Sequence, residues 1–194
     1  MKGQQSSRTR HWRRGDGLSP TEPSLLAMPL EFLSAEHMRA RQVCCKIDRL
    51  AVSANVDPSS ARAVLRFVNE ELTLHMRDEA EDLFPLLTRR CPAEDGIDRT
   101  ISRIRSDLDA ATRLLPGLQA ALDRCLETGT ELAGEDRQLL SQFTSHVRRH
   151  LAAENAILLP IARVRLTRRD LQKLTRQMRS RRGLPPDTET PHAD

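Results

Sequence analysis

The sequence predicts an all-α protein, an up-down-up-down four-helix bundle followed by a short basic fifth helix. Apolar residues recur at steps of three and four along four long stretches, as in amphipathic helices. The 8 glycines and 11 prolines lie largely between these stretches or in the tails. Tyrosine is absent, and 4 Phe with 1 Trp are too few aromatic residues for a typical sheet core. Four long amphipathic helices joined by short links are typical of such a bundle.

A chain of 194 residues is long enough for one domain with one core. Residues 1–27 mix Arg, Ser, Gly and Pro without periodicity, so we expect this segment to be disordered. The bundle is predicted over 28–166, the basic helix over 167–183 and a disordered tail over 184–194. Met28 opens the first periodic stretch and is a candidate for the native start.

The first two helices have clear start signals. Helix one is predicted from Pro29, a favourable first helical residue, to about Ala54. Helix two is predicted to begin after Asp57, which can cap it, with Pro58 in its first turn, and to continue to about Thr88.

The remaining three helices are predicted from the same kinds of signal. Helix three is predicted over 97–122, with a kink at Pro116. Helix four is predicted over 139–164. Thr167 and Asp170 match a capping box, which opens the strongly basic fifth helix.

Two of these helices repeat one phrase. Helix two carries His75-Met-Arg-Asp-Glu79 and then Leu-Phe-Pro85, and helix four carries His150-Leu-Ala-Ala-Glu154 and then Leu-Leu-Pro160, at identical offsets. A His and a Glu four residues apart lie about 6 Å apart along the helix axis and point to one side. One such pair alone is more often a surface contact. Both pairs fall on apolar stripes, however, where an ionisable group is costly unless it is paired or coordinated, so the duplication predicts a metal site.

Helix one adds His37, preceded by Glu36, on its inward stripe. Three imidazoles and two carboxylates suit iron or manganese better than zinc, which in structural sites usually takes thiolates. The four cysteines are scattered and form no CxxC pair, so we expect reduced thiols. The Glu-x-x-His motif of ferritin-like sites does not occur in the predicted helices, and its one match, Glu189 to His192, lies in the C-terminal tail.

Together these residues resemble the hemerythrin-like (HHE cation-binding) domain of the bacterial type. The matching parts are the stretch from Pro29 to His37, the two repeated phrases, and Met178-Arg-Ser-Arg-Arg-Gly183, so the match spans about residues 29 to 183. The resemblance implies a four-helix bundle around a non-haem di-iron centre. The ligands that it implies are His37, His75, Glu79, His150 and Glu154, with the glutamates bridging the irons.

One position departs from that pattern. Helix three should supply a histidine where this chain has Leu108, which cannot bind a metal. The departure implies an open coordination position, a site with one iron, or a bundle that has lost its metal. Asp107 and Asp109 flank this leucine, but each is turned about 100° away around the helix. His146 and Glu71 are further candidates, either as replacement ligands or as partners that orient an imidazole.

Arginines concentrate at the two ends of the chain, and we interpret them as solvated tails. Apart from Trp12, no aromatic residue is interleaved with them, so we do not expect nucleic acid binding. No apolar run approaches the roughly 20 residues that span a bilayer, and no signal peptide is recognised, so we predict a cytoplasmic protein without a membrane partner.

The leading hypothesis is a binding protein, rather than an enzyme, that holds iron and binds or senses O2, NO or peroxide. Two irons are preferred, with one as the alternative. The competing hypotheses are an iron- or redox-responsive regulator that contacts a protein partner through the basic fifth helix, and a metal-free interaction bundle. An oxidase that uses a tyrosyl radical of its own chain is excluded because the chain has no tyrosine.

Overall fold

The computed structural model describes residues 19–185, and helices dominate this part of the chain. Four long helices precede a shorter one: α1 (Pro29–Val52), α2 (58–90), α3 (Ile97–Thr128), α4 (134–165) and α5 (Arg168–Arg181). The first four pack in cyclic order, with α4 returning to contact α1. Residues 19–185 contain no strand. The predicted all-α bundle with a fifth helix is confirmed.

Local signals set the starts of two helices. The Asp57 carboxylate accepts hydrogen bonds from the backbone N–H groups of Ser59 and Ser60, at 3.3 and 2.9 Å. Before α5, Thr167 Oγ1 accepts from the Asp170 N–H at 3.2 Å, and the Asp170 carboxylate accepts from the Thr167 N–H at 3.0 Å. These bonds satisfy N–H groups that a first helical turn leaves unpaired. Both predicted caps are therefore present.

Helices α3 and α4 are longer than their periodic stretches predict. Helix α3 continues to Thr128 and ends before Gly129, whose φ of 68° suits glycine. Pro116 lies inside α3, and the kink expected there stays a prediction. A Cβ atom on Gly117 would lie 2.6 Å from Cδ1 of Leu139, so glycine at this position lets α3 and α4 pack closely.

Wider π-helical turns occur at equivalent places in α2 and α4. They span Asp78–Leu83 and Glu154–Leu158, and α2 has an additional one at Phe67–Glu71. At the end of each equivalent turn, the carbonyl oxygen of Glu79 or Glu154 accepts a hydrogen bond from the N–H five residues later. The glutamates of both repeated phrases therefore lie within widened turns.

The prolines of the repeated phrases explain these turns. Pro85 and Pro160 have no N–H, and a proline ring crowds the carbonyl group four residues earlier. Those carbonyls belong to Glu81 and Ala156, which lie inside the widened turns. A π turn accommodates each ring without ending the helix. The repeated phrase thus encodes both a His-Glu pair and the backbone turn that carries the glutamate.

Two apolar clusters fill the bundle. The first cluster contains buried side chains from 40–51, 61–72, 111–125 and 132–151. The second contains side chains from 26–33, 83–87, 97–104, 158–166 and α5. In each of α1, α2 and α4, the His and Glu residues of the predicted site fall at the boundary between the clusters. The site is consequently a polar layer between two apolar ones.

The second cluster changes one expectation about the N-terminal segment. Residues 1–18 lie outside the described part, as do 186–194 at the other end, so the disorder predicted there stays a prediction. Pro23–Ala27, however, form a 3-10 helix, although the sequence predicts disorder over 1–27. The reason is tertiary: Leu26 is fully buried against α5, and its carbonyl oxygen accepts a hydrogen bond of 2.9 Å from Thr175 Oγ1.

Candidate metal centre

All five predicted ligands meet between three helices of the bundle. His37 comes from α1, His75 and Glu79 come from α2, and His150 and Glu154 come from α4. Each of the five residues is at most 4% exposed. The structure therefore brings together all five residues that the resemblance implies as ligands, and their role as metal ligands stays a prediction.

The Glu79 carboxylate lies between histidines of three different helices. Its Oε1 atom is 3.2 Å from Nε2 of His37 and 3.0 Å from Nε2 of His75. Its Oε2 atom is 3.2 Å from Nε2 of His150. One carboxylate thus presents an oxygen to the histidines of α1 and α2 and the other oxygen to the histidine of α4.

Glu154 lies in the same polar layer. Its Oε2 atom is 3.2 Å from Nε2 of His37 and 3.0 Å from Nε2 of His150. His37 therefore lies between two carboxylates, and His150 does too. One ligand atom each from His37, His75, Glu79 and Glu154 lies within 4.8 Å of the other three, which is the spacing of a metal-binding group.

Several of these buried atoms have short contacts but no hydrogen bond. They are His75 Nε2, His150 Nε2, Glu79 Oε2 and Glu154 Oε2. Buried polar atoms without hydrogen bonds are costly and uncommon in proteins. Atoms that face a shared point, rather than one another, would show this combination. The donor set and its geometry therefore fit a bound cation.

Without a metal, protons balance the charges in this layer. Burial lowers the pKa of His150, but Glu154 and Glu79 outweigh burial and raise this pKa to about 10. The pKa of His75 is also raised well above its ordinary value, because Glu79 and Glu36 outweigh burial. Burial raises the pKa of Glu79, but His75 and His150 outweigh it and hold this pKa well below the ordinary value. A cation would replace these protons, since metal-bound imidazole is neutral.

Helix α3 contributes an apolar surface in place of a fourth histidine. Leu108 lines a cavity of about 10 Å³, which is roughly the smallest cavity that can hold one water molecule. His75 and His150 line the same cavity, together with Phe143 and Val147. The space beside the two imidazoles is therefore small and mostly nonpolar.

The other candidate ligands are paired or exposed outside the group of five, although Asp107 also lines the cavity beside His75 and His150. Asp107 accepts hydrogen bonds from Arg149 at 3.0 and 2.9 Å, and its Oδ1 atom lies 3.1 Å from Nδ1 of His146. This cluster is partly exposed at the rim of the bundle. Glu71 forms a two-pronged ion pair with Arg39. Asp107, His146 and Glu71 therefore have side-chain partners of their own. Asp109 is exposed.

Sequence reasoning named Glu36 but assigned it no role. In the structure, Nδ1 of His75 donates a hydrogen bond of 3.1 Å to Glu36 Oε2, which fixes the orientation of the imidazole ring. The position of Glu36 beside His37 in the sequence could not reveal this bond, because the partner histidine belongs to another helix.

The comparisons with known proteins agree with this geometry. A model of the hemerythrin HHE cation binding domain matches residues 28–162. No curated protein matches the chain. Among the described residues, no helix is both long enough and apolar enough to cross a membrane. The family match covers most of the bundle and includes all five clustered His and Glu residues, so the chain belongs to the hemerythrin HHE cation-binding domain family.

Proposed function

We propose that this protein binds iron in the polar layer, two ions by preference, and uses it to bind or sense O2, NO or peroxide. One observation carries the proposal: the two oxygens of the Glu79 carboxylate face different histidines, Oε1 those of α1 and α2 and Oε2 that of α4. A carboxylate placed in this way suits a bridge between two ions. Histidine and carboxylate donors suit iron, and the cation-binding family supports a metal role.

The residues divide unequally between two ions. His37 and His75 with Glu79 Oε1 would hold the first ion. His150 with Glu79 Oε2 would hold the second, and Glu154 Oε2, which lies 3.2 Å from His37 and 3.0 Å from His150, would be shared between the two ions. Helix α3 offers Leu108 instead of a histidine, so the second ion has fewer protein donors. We therefore expect the second iron to bind more weakly, and a site with one iron is the alternative.

The surroundings of the second ion favour a small ligand. Iron supplies redox chemistry and an exchangeable coordination position. The chain's own contribution is the mostly nonpolar cavity beside His75 and His150, which excludes bulky or charged ligands. A diatomic molecule or peroxide is the class of exchangeable iron ligand closest in size to such a space.

The metal-free interaction bundle is less well supported. Without a cation, the layer would keep five buried ionisable side chains, several of them with atoms that have no hydrogen bond. Buried ionisable groups of this kind cost less free energy where a cation binds them.

All four cysteines are free thiols, which supports the proposed cytoplasmic location.

Anaerobic reconstitution with ferrous iron tests the proposal. We expect up to two irons per chain, released in two steps of different affinity by a graded chelator, and an optical spectrum that changes when O2 or NO is added. Retention of no iron by the wild-type protein would overturn metal binding. Iron retention with no spectral response to O2, NO or peroxide would overturn the small-ligand function alone.

A further inference from the structure

The C-terminal end of α5 does not behave as a solvated basic tail. Arg181, the last residue of α5, and Arg182, which follows it, form what we call the arginine pair, and their side chains are only 9% and 12% exposed. Lys173 and Arg176, on the same helix, are exposed. Arginine side chains with this little exposure need acidic partners, and those partners lie on α1 and α2 beside the metal centre.

Arg182 contacts two acidic residues and one aromatic ring. Its Nη1 atom lies 2.7 Å from Asp78, and its Nη2 atom lies 3.5 Å from Glu36 Oε2. Its guanidinium group lies over the ring of Phe32, 4.8 Å from the ring centroid. Helix α5 is thereby joined to both α1 and α2.

Arg181 contacts the widened turn that carries Glu79. It forms an ion pair with Asp78 and donates a hydrogen bond of 2.8 Å to Asp82. Asp78 is fully buried and Asp82 is 3% exposed. The two aspartates flank Glu79 within Asp78–Leu83, so Arg181 holds this turn from outside the bundle.

The contacts of Arg182 also lead to a ligand histidine. Glu36 Oε2, near Arg182, accepts the hydrogen bond from Nδ1 of His75. The other ring nitrogen of His75 faces the metal centre, 3.0 Å from Glu79. One contact line therefore runs from Arg182 through Glu36 to His75, and the other runs from Arg181 through Asp78 to the turn of Glu79.

We infer that the arginine pair and Glu36 are positioning residues for the metal centre, so that docking of α5 and metal affinity are linked. The inference rests on the proposed metal binding. Partners that orient a ligand imidazole typically change metal affinity by about 10- to 100-fold. Because linkage is reciprocal, a metal that binds more tightly when α5 is docked must also stabilise the docked helix.

The test compares Arg182→Gln with Lys173→Gln, a matched change on the exposed face of the same helix. Chelator competition should show ferrous iron binding about 10- to 100-fold weaker in R182Q and nearly unchanged in K173Q. Glu36→Gln, which changes no residue of α5, should also weaken ferrous iron binding. Equal affinity in R182Q, E36Q and wild type would overturn the inference, while retention of no iron by wild type would overturn the proposed function instead.

Two measurements separate positioning from a general loss of folding. Iron should slow amide hydrogen exchange in Arg168–Arg181 of wild type, and this slowing should be lost in R182Q but kept in K173Q. In the metal-free protein, the Nδ1 proton of His75 should give a shifted, slowly exchanging NMR signal that exchanges faster in R182Q. An Nδ1 signal that R182Q leaves unaltered would contradict the inference even if no metal binds.

Discussion

Oε2 of Glu79 lies 3.2 Å from Nε2 of His150, so a carboxylate from one repeated phrase meets an imidazole from the other. The two residues belong to α2 and α4, which the chain joins only through α3. Neither phrase makes a complete site alone. The contact between them places one glutamate against the histidines of three helices, and this arrangement yields specific predictions.

Removal of the Glu79 charge should abolish the shared site. Glu79→Gln keeps the shape of the side chain but leaves a poor metal ligand, so we expect the protein to lose both irons after desalting. Glu70→Gln, an exposed change on the same helix, is the control and should retain them. Iron per folded chain, with circular dichroism to verify folding, is the measurement. Full iron retention in E79Q would contradict the bridging role.

A histidine at Leu108 should strengthen the weaker half of the centre. Leu108 lines the cavity beside His150, so Leu108→His would add a donor where α3 has none. We expect the second iron to resist a chelator that removes it from wild type. Leu108→Ile, which keeps the volume and adds no donor, is the control. If the chelator removes the second iron from L108H as easily as from wild type, this position does not face an ion.

The metal-free protein should lose stability as the pH rises. His150 has a pKa of about 10 when folded and 6.5 as its ordinary value, so the folded state binds this proton more tightly. The stabilisation is fully present below about pH 6.5 and is lost as the pH rises toward 10. The lowered pKa of Glu79 has the opposite effect on the pH dependence. The stability that the ionised Glu79 contributes is present above pH 4.5 and is lost as the pH falls below that value.

Urea denaturation of metal-free protein across this range is the measurement. The free energy of unfolding should be highest between 4.5 and 6.5, the ordinary pKa values of Glu79 and His150, and should fall toward pH 10. His150→Gln should have a shallower decline on the alkaline side. A free energy of unfolding that stays constant or increases up to pH 10 would show that these imidazoles are not protonated in the folded state.

Loss of the α5 cap should weaken the docked helix. Thr167→Ala removes the hydroxyl that accepts from the Asp170 N–H, and helix caps of this kind contribute about 1 kcal/mol. We expect a decrease of about that size in the free energy of unfolding, with faster hydrogen exchange concentrated in α5. Ser180→Ala, an exposed change on the same helix, should have little effect. Uniform exchange changes along the whole chain would contradict a local cap.

Local sequence signals identified much of the fold and the centre of the site. Apolar periodicity marks α1 to α4, and the caps at Asp57 and Thr167 depend on hydrogen bonds within a few residues. The phrases ending in Pro85 and Pro160 place a His and a Glu on the inner face of each helix. Helical geometry alone fixes that arrangement, so the sequence was sufficient to predict it.

The tertiary structure decided which side chain meets which partner. Asp107 and His146 contact each other at the rim, although their positions in the sequence made both of them candidates for the site. Glu36 directly precedes His37 on α1, yet it bonds to His75 of a neighbouring helix. Such contacts depend on the relative rotation and height of packed helices, which local periodicity does not encode.

The basic C-terminal helix shows the difference most clearly. Its composition predicts a solvated charge run, and its cap predicts a helix, but neither shows that the side chains of Arg181 and Arg182 are largely shielded from solvent. The sequence by itself determined the helices and the residues able to hold a cation. Only the packing of α5 against the turn around Asp78 decided that two arginines support that centre, because a buried charge is retained only where the fold supplies its opposite.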